Sequence, residues 1–185
     1  MVPVLSLLIP IALSAVFVFI ASSIIHMATP WHRDDLKKFP DENAVANALR
    51  PLNIPVGEYG LPKPDSMKHM QSPEFQAKFK AGPVAFVTIR PTETAMGALL
   101  VQWFIYSLVV SVVAGYIAGV AFGPGTEYLR IFQVAGCVAF VGYAFGAPIQ
   151  SIWWGQAWSR TFRNMVDGLL YGLLTGGTFG WLWPR

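Results

Sequence analysis

Residues 4–25 form a run of 22 positions without one charged side chain. At about 1.5 Å of rise per residue, a helix of that length matches a hydrocarbon core about 30 Å thick. Three further apolar blocks follow, at residues 95–122, 129–154 and 164–183. Nearly all the charge falls between the first block and the second. Hydrophobic residues make up 54% of the chain and charged residues only 12%, against about 25% charged in ordinary soluble domains. A soluble enzyme fold is therefore excluded.

The pattern predicts an all-α membrane protein with four transmembrane helices and a mixed α/β extramembrane loop of roughly 70 residues between the first and second. Residues 1–25 form the first span, 26–94 the loop subdomain and 95–185 a three-helix transmembrane region. The first block is too long for a signal-peptide core and has no basic residue before it, so it reads as a retained helix. Pro10 is expected to kink it. Gly123-Pro124-Gly125 reads as a tight turn between the second and third spans.

Four spans put both termini on one face. The first loop carries nine Lys/Arg and the third adds Arg160 and Arg163, while the opposite face has only Arg130 and Arg185. Eleven against two predicts a cytoplasmic loop and external termini. Trp31, Trp153, Trp154 and Trp158 then fall near the inner interface, with Tyr128, Trp181 and Trp183 near the outer one, as aromatic belts require. The net charge of +3 belongs to this topology and not to nucleic acid, since the bases are interleaved with acids.

Within the loop, Asp41 can cap a helix running to Leu49, and Ser72-Pro73-Glu74 opens another that Gly82 closes. Residues 53–61 and 84–89 read as strands. Nine of the fourteen prolines lie here, and large apolar groups are few. Such a segment is expected to rest on the membrane surface or on a partner.

Glycines recur every fourth residue in the later spans. Gly115, Gly119 and Gly123 lie in the second, Gly142 and Gly146 in the third, and Gly168, Gly172, Gly176 and Gly180 in the fourth. A stripe of this kind lets helix backbones approach closely in lipid, against helices of the same chain or of another copy. Asp167 is the only acidic residue within a span. It is expected in the first turn of its helix with Arg163 one turn earlier on the same face, a structural pairing. Gln102, Gln133 and Gln150 are expected to bond between helices.

His26, His32, Asp34 and Asp35 flank the end of the first span as a candidate polar site, which Asp167 could join. Their spacing matches no recognised metal motif. Later spans contain no histidine, which removes bis-histidine haem and histidine-ligated chlorophyll. The single Cys137 forms no intramolecular disulfide and no cysteine zinc site. Phosphate-loop, nucleophile-elbow and zinc-hydrolase motifs are absent, so no cofactor and no catalytic residue is assigned.

The segments Ser22-Ser23-Ile24-Ile25-His26-Met27 with Pro30-Trp31-His32, Leu49-Arg50-Pro51-Leu52-Asn53-Ile54-Pro55, and Thr175-Gly176-Gly177-Thr178-Phe179-Gly180-Trp181-Leu182-Trp183-Pro184 resemble a family of small four-helix bacterial membrane proteins. The resemblance implies a bacterial inner-membrane setting and brings no activity with it. The leading expectation is a non-catalytic accessory or scaffold subunit of a larger membrane complex, respiratory or photosynthetic, in contact with lipid and other membrane subunits. The alternatives are a membrane enzyme or transporter with a polar site at the cytoplasmic helix ends, and a free-standing homo-oligomer joined through glycine stripes.

Overall fold

The computed structural model describes all 185 residues, which divide into two compact units. Residues 1–36 join 95–185 in a helical unit, and Lys37–Thr94 form the second. The segment from His26 to Leu36 thus belongs with the helices, eleven residues beyond the expected end of the first span.

In the helical unit, a 3-10 turn at Val4–Leu7 leads into α1 (Leu8–Ser23), which ends in a π-helical turn at Ile24–Ala28. Pro10 falls in the first turn of α1, where proline removes no intrahelical hydrogen bond and no kink is required. The other helices are α5 (Met96–Ala121), α6 (Tyr128–Ala144), α7 (Ala147–Trp154) and α8 (Trp158–Trp181). Three stretches, Val4–Ala28, Met96–Ala121 and Tyr128–Trp154, are long and apolar enough to cross a membrane. The 24 residues of α8 include Arg160, Arg163, Asn164, Asp167 and a series of glycines and threonines, which hold its hydropathy below that of the other three.

Close backbone approach organises this unit, and seven of the nine stripe glycines take part. A Cβ at Gly176 would lie 2.5 Å from the Phe132 carbonyl oxygen, and one at Gly172 2.8 Å from that of Gly136. At Gly168 it would meet Ala144, and at Gly180 the ring of Tyr128, each at 2.7 Å. Together these contacts place α8 directly on α6. On α5, Gly115 accommodates the fully buried Phe179 ring, Gly119 receives the Val2 carbonyl, and Gly142 of α6 meets Val110. Gly123 and Gly146 depart from expectation, because a Cβ at either meets nothing within 4 Å. Both lie where a helix ends, so neither faces a neighbouring backbone.

The core gathers Leu7, Ile11, Ala114, Ala118, Ile131, Ala135 and Phe179. Ser14 and Ser111, both fully buried, hydrogen-bond between α1 and α5 at 3.0 Å. Trp183 closes one end by donating its Nε1–H to the Gly123 carbonyl. The three glutamines expected to bond between helices are instead exposed and make no side-chain hydrogen bond. Buried serines supply the polar contact between α1 and α5.

The second unit contains α2 (Glu42–Leu49), β1 (Gly57–Leu61), α3 (Met67–Met70), α4 (Pro73–Ala81) and β2 (Ala85–Ile89). Asp41 accepts from the Ala44 N–H, Ser72 accepts from the Phe75 N–H, and Gly82 ends α4 at a φ of 65°. The strands pair antiparallel, from Gly57 opposite Ile89 to Leu61 opposite Ala85. Phe75 is the only buried side chain of this unit.

Candidate functional site

The site lies where α1 finishes and α8 begins. An α-helix at Ile25 would keep its i,i+4 ladder, but the π turn widens it, and π turns frequently occur at functional positions. His26 donates its Nδ1–H to the Ser22 carbonyl at 3.0 Å. The Ser22 hydroxyl accepts from Trp103 Nε1 at 2.8 Å, so one residue positions both an imidazole and an aromatic wall.

Beyond the π turn, Pro30 and two turn hydrogen bonds, from Arg33 to the Pro30 carbonyl and from Asp35 to that of His32, fold residues 30–35 back compactly. His32 thereby lies between two carboxylates. Its Nδ1 meets Asp35 Oδ2 and its Nε2 meets Asp167 Oδ2, both at 2.6 Å. An imidazole donates to two carboxylates at once only as the imidazolium. The His26 ring stacks on that of His32 with centroids 4.2 Å apart and planes within 8°.

Asp167 also accepts from Trp31 Nε1 at 3.0 Å. Asp35 is held from the other side by Arg163 Nη1 at 2.6 Å and Arg160 Nε at 3.7 Å. Burial opposes the charge on Asp35, but hydrogen bonds from His32 and Arg163, reinforced by their positive charges, outweigh it. The carboxyl is held below its ordinary range.

The structure brings together His26, His32, Asp35 and Asp167, and leaves Asp34 exposed outside the cluster. It also corrects the expected pairing of Asp167. Because α8 starts at Trp158, Asp167 is in the third turn and not the first, away from the helix N-terminus. Arg163 turns to Asp35, and the partners of Asp167 are Trp31 and His32. Asp167 is only 4% exposed, so its carboxylate oxygens take their hydrogen bonds from those donors and not from water.

Beside this cluster lies a cavity of about 720 Å³, lined by His26 and Asp167 at its polar part and by Leu100, Trp103, Tyr106, Tyr143 and Tyr171 elsewhere. The aromatic rings support one another. Tyr143 meets Tyr171 edge-on at 5.3 Å, and Trp103 stacks with Tyr106 at 5.6 Å. Tyr106 donates to the Gly142 carbonyl at 2.6 Å, whereas the buried Tyr171 hydroxyl has no partner in the chain. A buried hydroxyl without a hydrogen bond costs about 1–3 kcal/mol, and here it belongs to a cavity wall. A second hollow of about 590 Å³ reaches Asp167 from the side of Trp31 and Arg163. These aromatic walls were not anticipated from sequence, where aromatics in the spans carry no sign of facing inward.

No protein-family model, curated protein or solved structure matches the chain.

Proposed function

We propose that the chain binds a small amphiphilic molecule drawn from the bilayer and acts on it, as enzyme or transporter, at the polar site where α1 ends and α8 begins. The observation that carries this reading is the cavity with two kinds of wall: a polar end at His26 and Asp167, and an aromatic body that includes Tyr171, whose buried hydroxyl lacks a partner. Ligand pockets are characteristically apolar with a few convergent polar groups, and about 300–1,000 Å³ in size. A hydrogen-bonding head would meet His26 and Asp167, and an apolar body would lie against Leu100, Trp103 and Tyr143.

In this reading α8 is a fourth span, both termini are external, and the site opens at the cytoplasmic interface of a bacterial inner membrane. The eleven-to-two distribution of Lys and Arg supports that orientation. Assembly through glycine stripes loses support, because seven of those glycines already meet the same chain.

A second reading, an accessory subunit of a larger membrane complex, is favoured by one observation. Phe39, Leu52, Val56 and Met67 of the unit Lys37–Thr94 are each more than 60% exposed. Exposed apolar side chains in such number are available for contact with another protein.

Mass spectrometry of the full chain extracted in lipid nanodiscs tests the binding reading. Wild type is expected to carry an amphiphile at near one-to-one stoichiometry, and Leu100→Trp paired with Ala147→Phe, which enlarges two residues lining the cavity so as to fill it, to lose the amphiphile. Equal recovery from both proteins, or none from wild type, would overturn it.

A further inference from the structure

We propose that His26, His32 and Asp167 bind one divalent transition-metal ion, with the open coordination positions facing the cavity. This deepens the reading of the same site by giving it a cofactor. The ligand atoms of the three residues lie within 4.8 Å of one another, although His32 and Asp167 are 135 residues apart in sequence.

Proximity alone would suit an ion pair, but the orientation of each side chain goes further. Metal-binding histidines characteristically donate their other ring N–H to a carbonyl or carboxylate, which fixes the tautomer and aims the free nitrogen. Both histidines do so here. The Nδ1 of His26 is held by the Ser22 carbonyl and that of His32 by Asp35, leaving each Nε2 as the ligand atom. Asp35 is itself anchored by Arg163. The remaining ligand follows the same rule, since Trp31 takes Oδ1 of Asp167 and leaves Oδ2 toward His32. The Ser22 carbonyl and the His32 ring hold His26 beside the His32–Asp167 contact with its Nε2 unbonded.

Two imidazoles and one carboxylate, without thiolate, suit zinc, iron(II), cobalt(II) or manganese(II) better than calcium or magnesium. Three protein ligands leave positions for water or a substrate atom, the arrangement of a catalytic site and not a structural one. His26 and Asp167 both line the cavity, so those positions face the space assigned to the amphiphile head. On binding, the ion takes the place of the proton shared by His32 Nε2 and Asp167 Oδ2. Bonds of about 2.0–2.2 Å to tetrahedral zinc require the stacked rings to tilt toward one ion at their Nε2 edges, each pivoting on the Nδ1 hydrogen bond that holds it.

The test uses full-length protein in detergent, stripped with chelator and titrated with cobalt(II) alone, read by calorimetry and by the visible d–d bands of the bound ion. One equivalent is expected to bind. His26→Ala should weaken it at least tenfold, and Asp35→Asn by about 10–100-fold through the loss of imidazole orientation. Asp34→Asn should leave it unchanged. His26 is exposed, so its replacement leaves folding intact and decides the question even if an Asp167 variant does not fold. Absence of saturable uptake, or uptake indifferent to His26→Ala, would overturn the metal site. The cavity-filling pair should still take up cobalt, so loss of the amphiphile with metal binding intact separates the two readings. An amphiphile bound without any metal would leave the cavity reading standing and reject this one.

Discussion

Replacing Gly176 by alanine adds one methyl group to the place where α8 touches α6. The new Cβ would lie 2.5 Å from the Phe132 carbonyl oxygen and 3.0 Å from the Gly136 Cα, both backbone atoms that cannot rotate away. Ordinary contact begins near 3.4 Å, so the helices must separate by close to an ångström. Overpacking of this kind costs about 1–3 kcal/mol, and the rigidity of the obstacle places it at the upper end. Alanine also gains about 0.8–1 kcal/mol of helix propensity over glycine. Gly97 carries part of that gain without a clash, since it lies in the first turn of α5 and a Cβ there meets nothing within 4 Å. Against Gly97→Ala, Gly176→Ala should be less stable by about 2–3 kcal/mol, the overpacking less the extra propensity gained in a helix interior. Reversible unfolding by SDS titration in mixed micelles, followed by tryptophan fluorescence, measures it. If Gly176→Ala proves as stable as Gly97→Ala, α6 and α8 do not meet backbone to backbone.

Two other expectations can be checked with single substitutions. Ser111→Ala removes the buried hydrogen bond to Ser14 while leaving Ser14 its bond to the Ile11 carbonyl, so the same titration should show a loss of about 0.5–1.5 kcal/mol; no change would mean the pair contributes nothing. For topology, a cysteine at the exposed Lys80 should resist a membrane-impermeant maleimide in intact cells and one at Arg185 should react, in a Cys137→Ser background; the reverse pattern would invert the proposed orientation.

Local signals in the sequence located much of the fold. Asp41, Ser72 and Gly82 bound their helices because a cap is decided within a few residues, and β2 carries its own alternation, whereas β1 does not alternate and begins at Gly57, four residues after the start the sequence suggests. The start of α8 lies six residues before the apolar block at 164–183, since Arg160 and Arg163 look like loop residues until their ion pairs with Asp35 are known. Those six residues move Asp167 from the first turn to the third and exchange Arg163 for His32 and Trp31 as its partners. His26, His32 and Asp35 could be singled out as one polar segment, but the preference for Asp167 over Asp34 depends on how residues 30–35 fold back onto α8. Trp31 suits an interfacial belt by its position, yet it also donates to Asp167. Inward-facing Tyr143 and Tyr171 leave no sequence trace at all, because an aromatic in an apolar span reads the same toward lipid as toward a cavity.

The wide turn at Ile24–Ala28 sets the helical phase of everything that follows it. One residue more or fewer in an α-helix rotates the subsequent chain by about 100°. An α1 that kept a regular ladder through Ile25 would rotate the Pro30–Asp35 turn about the helix axis, away from its place beside α8. Insertions and deletions between Ser22 and Pro30 would therefore dismantle the polar cluster without touching any residue in it. Length, as much as chemistry, is the property that this short stretch of chain must keep.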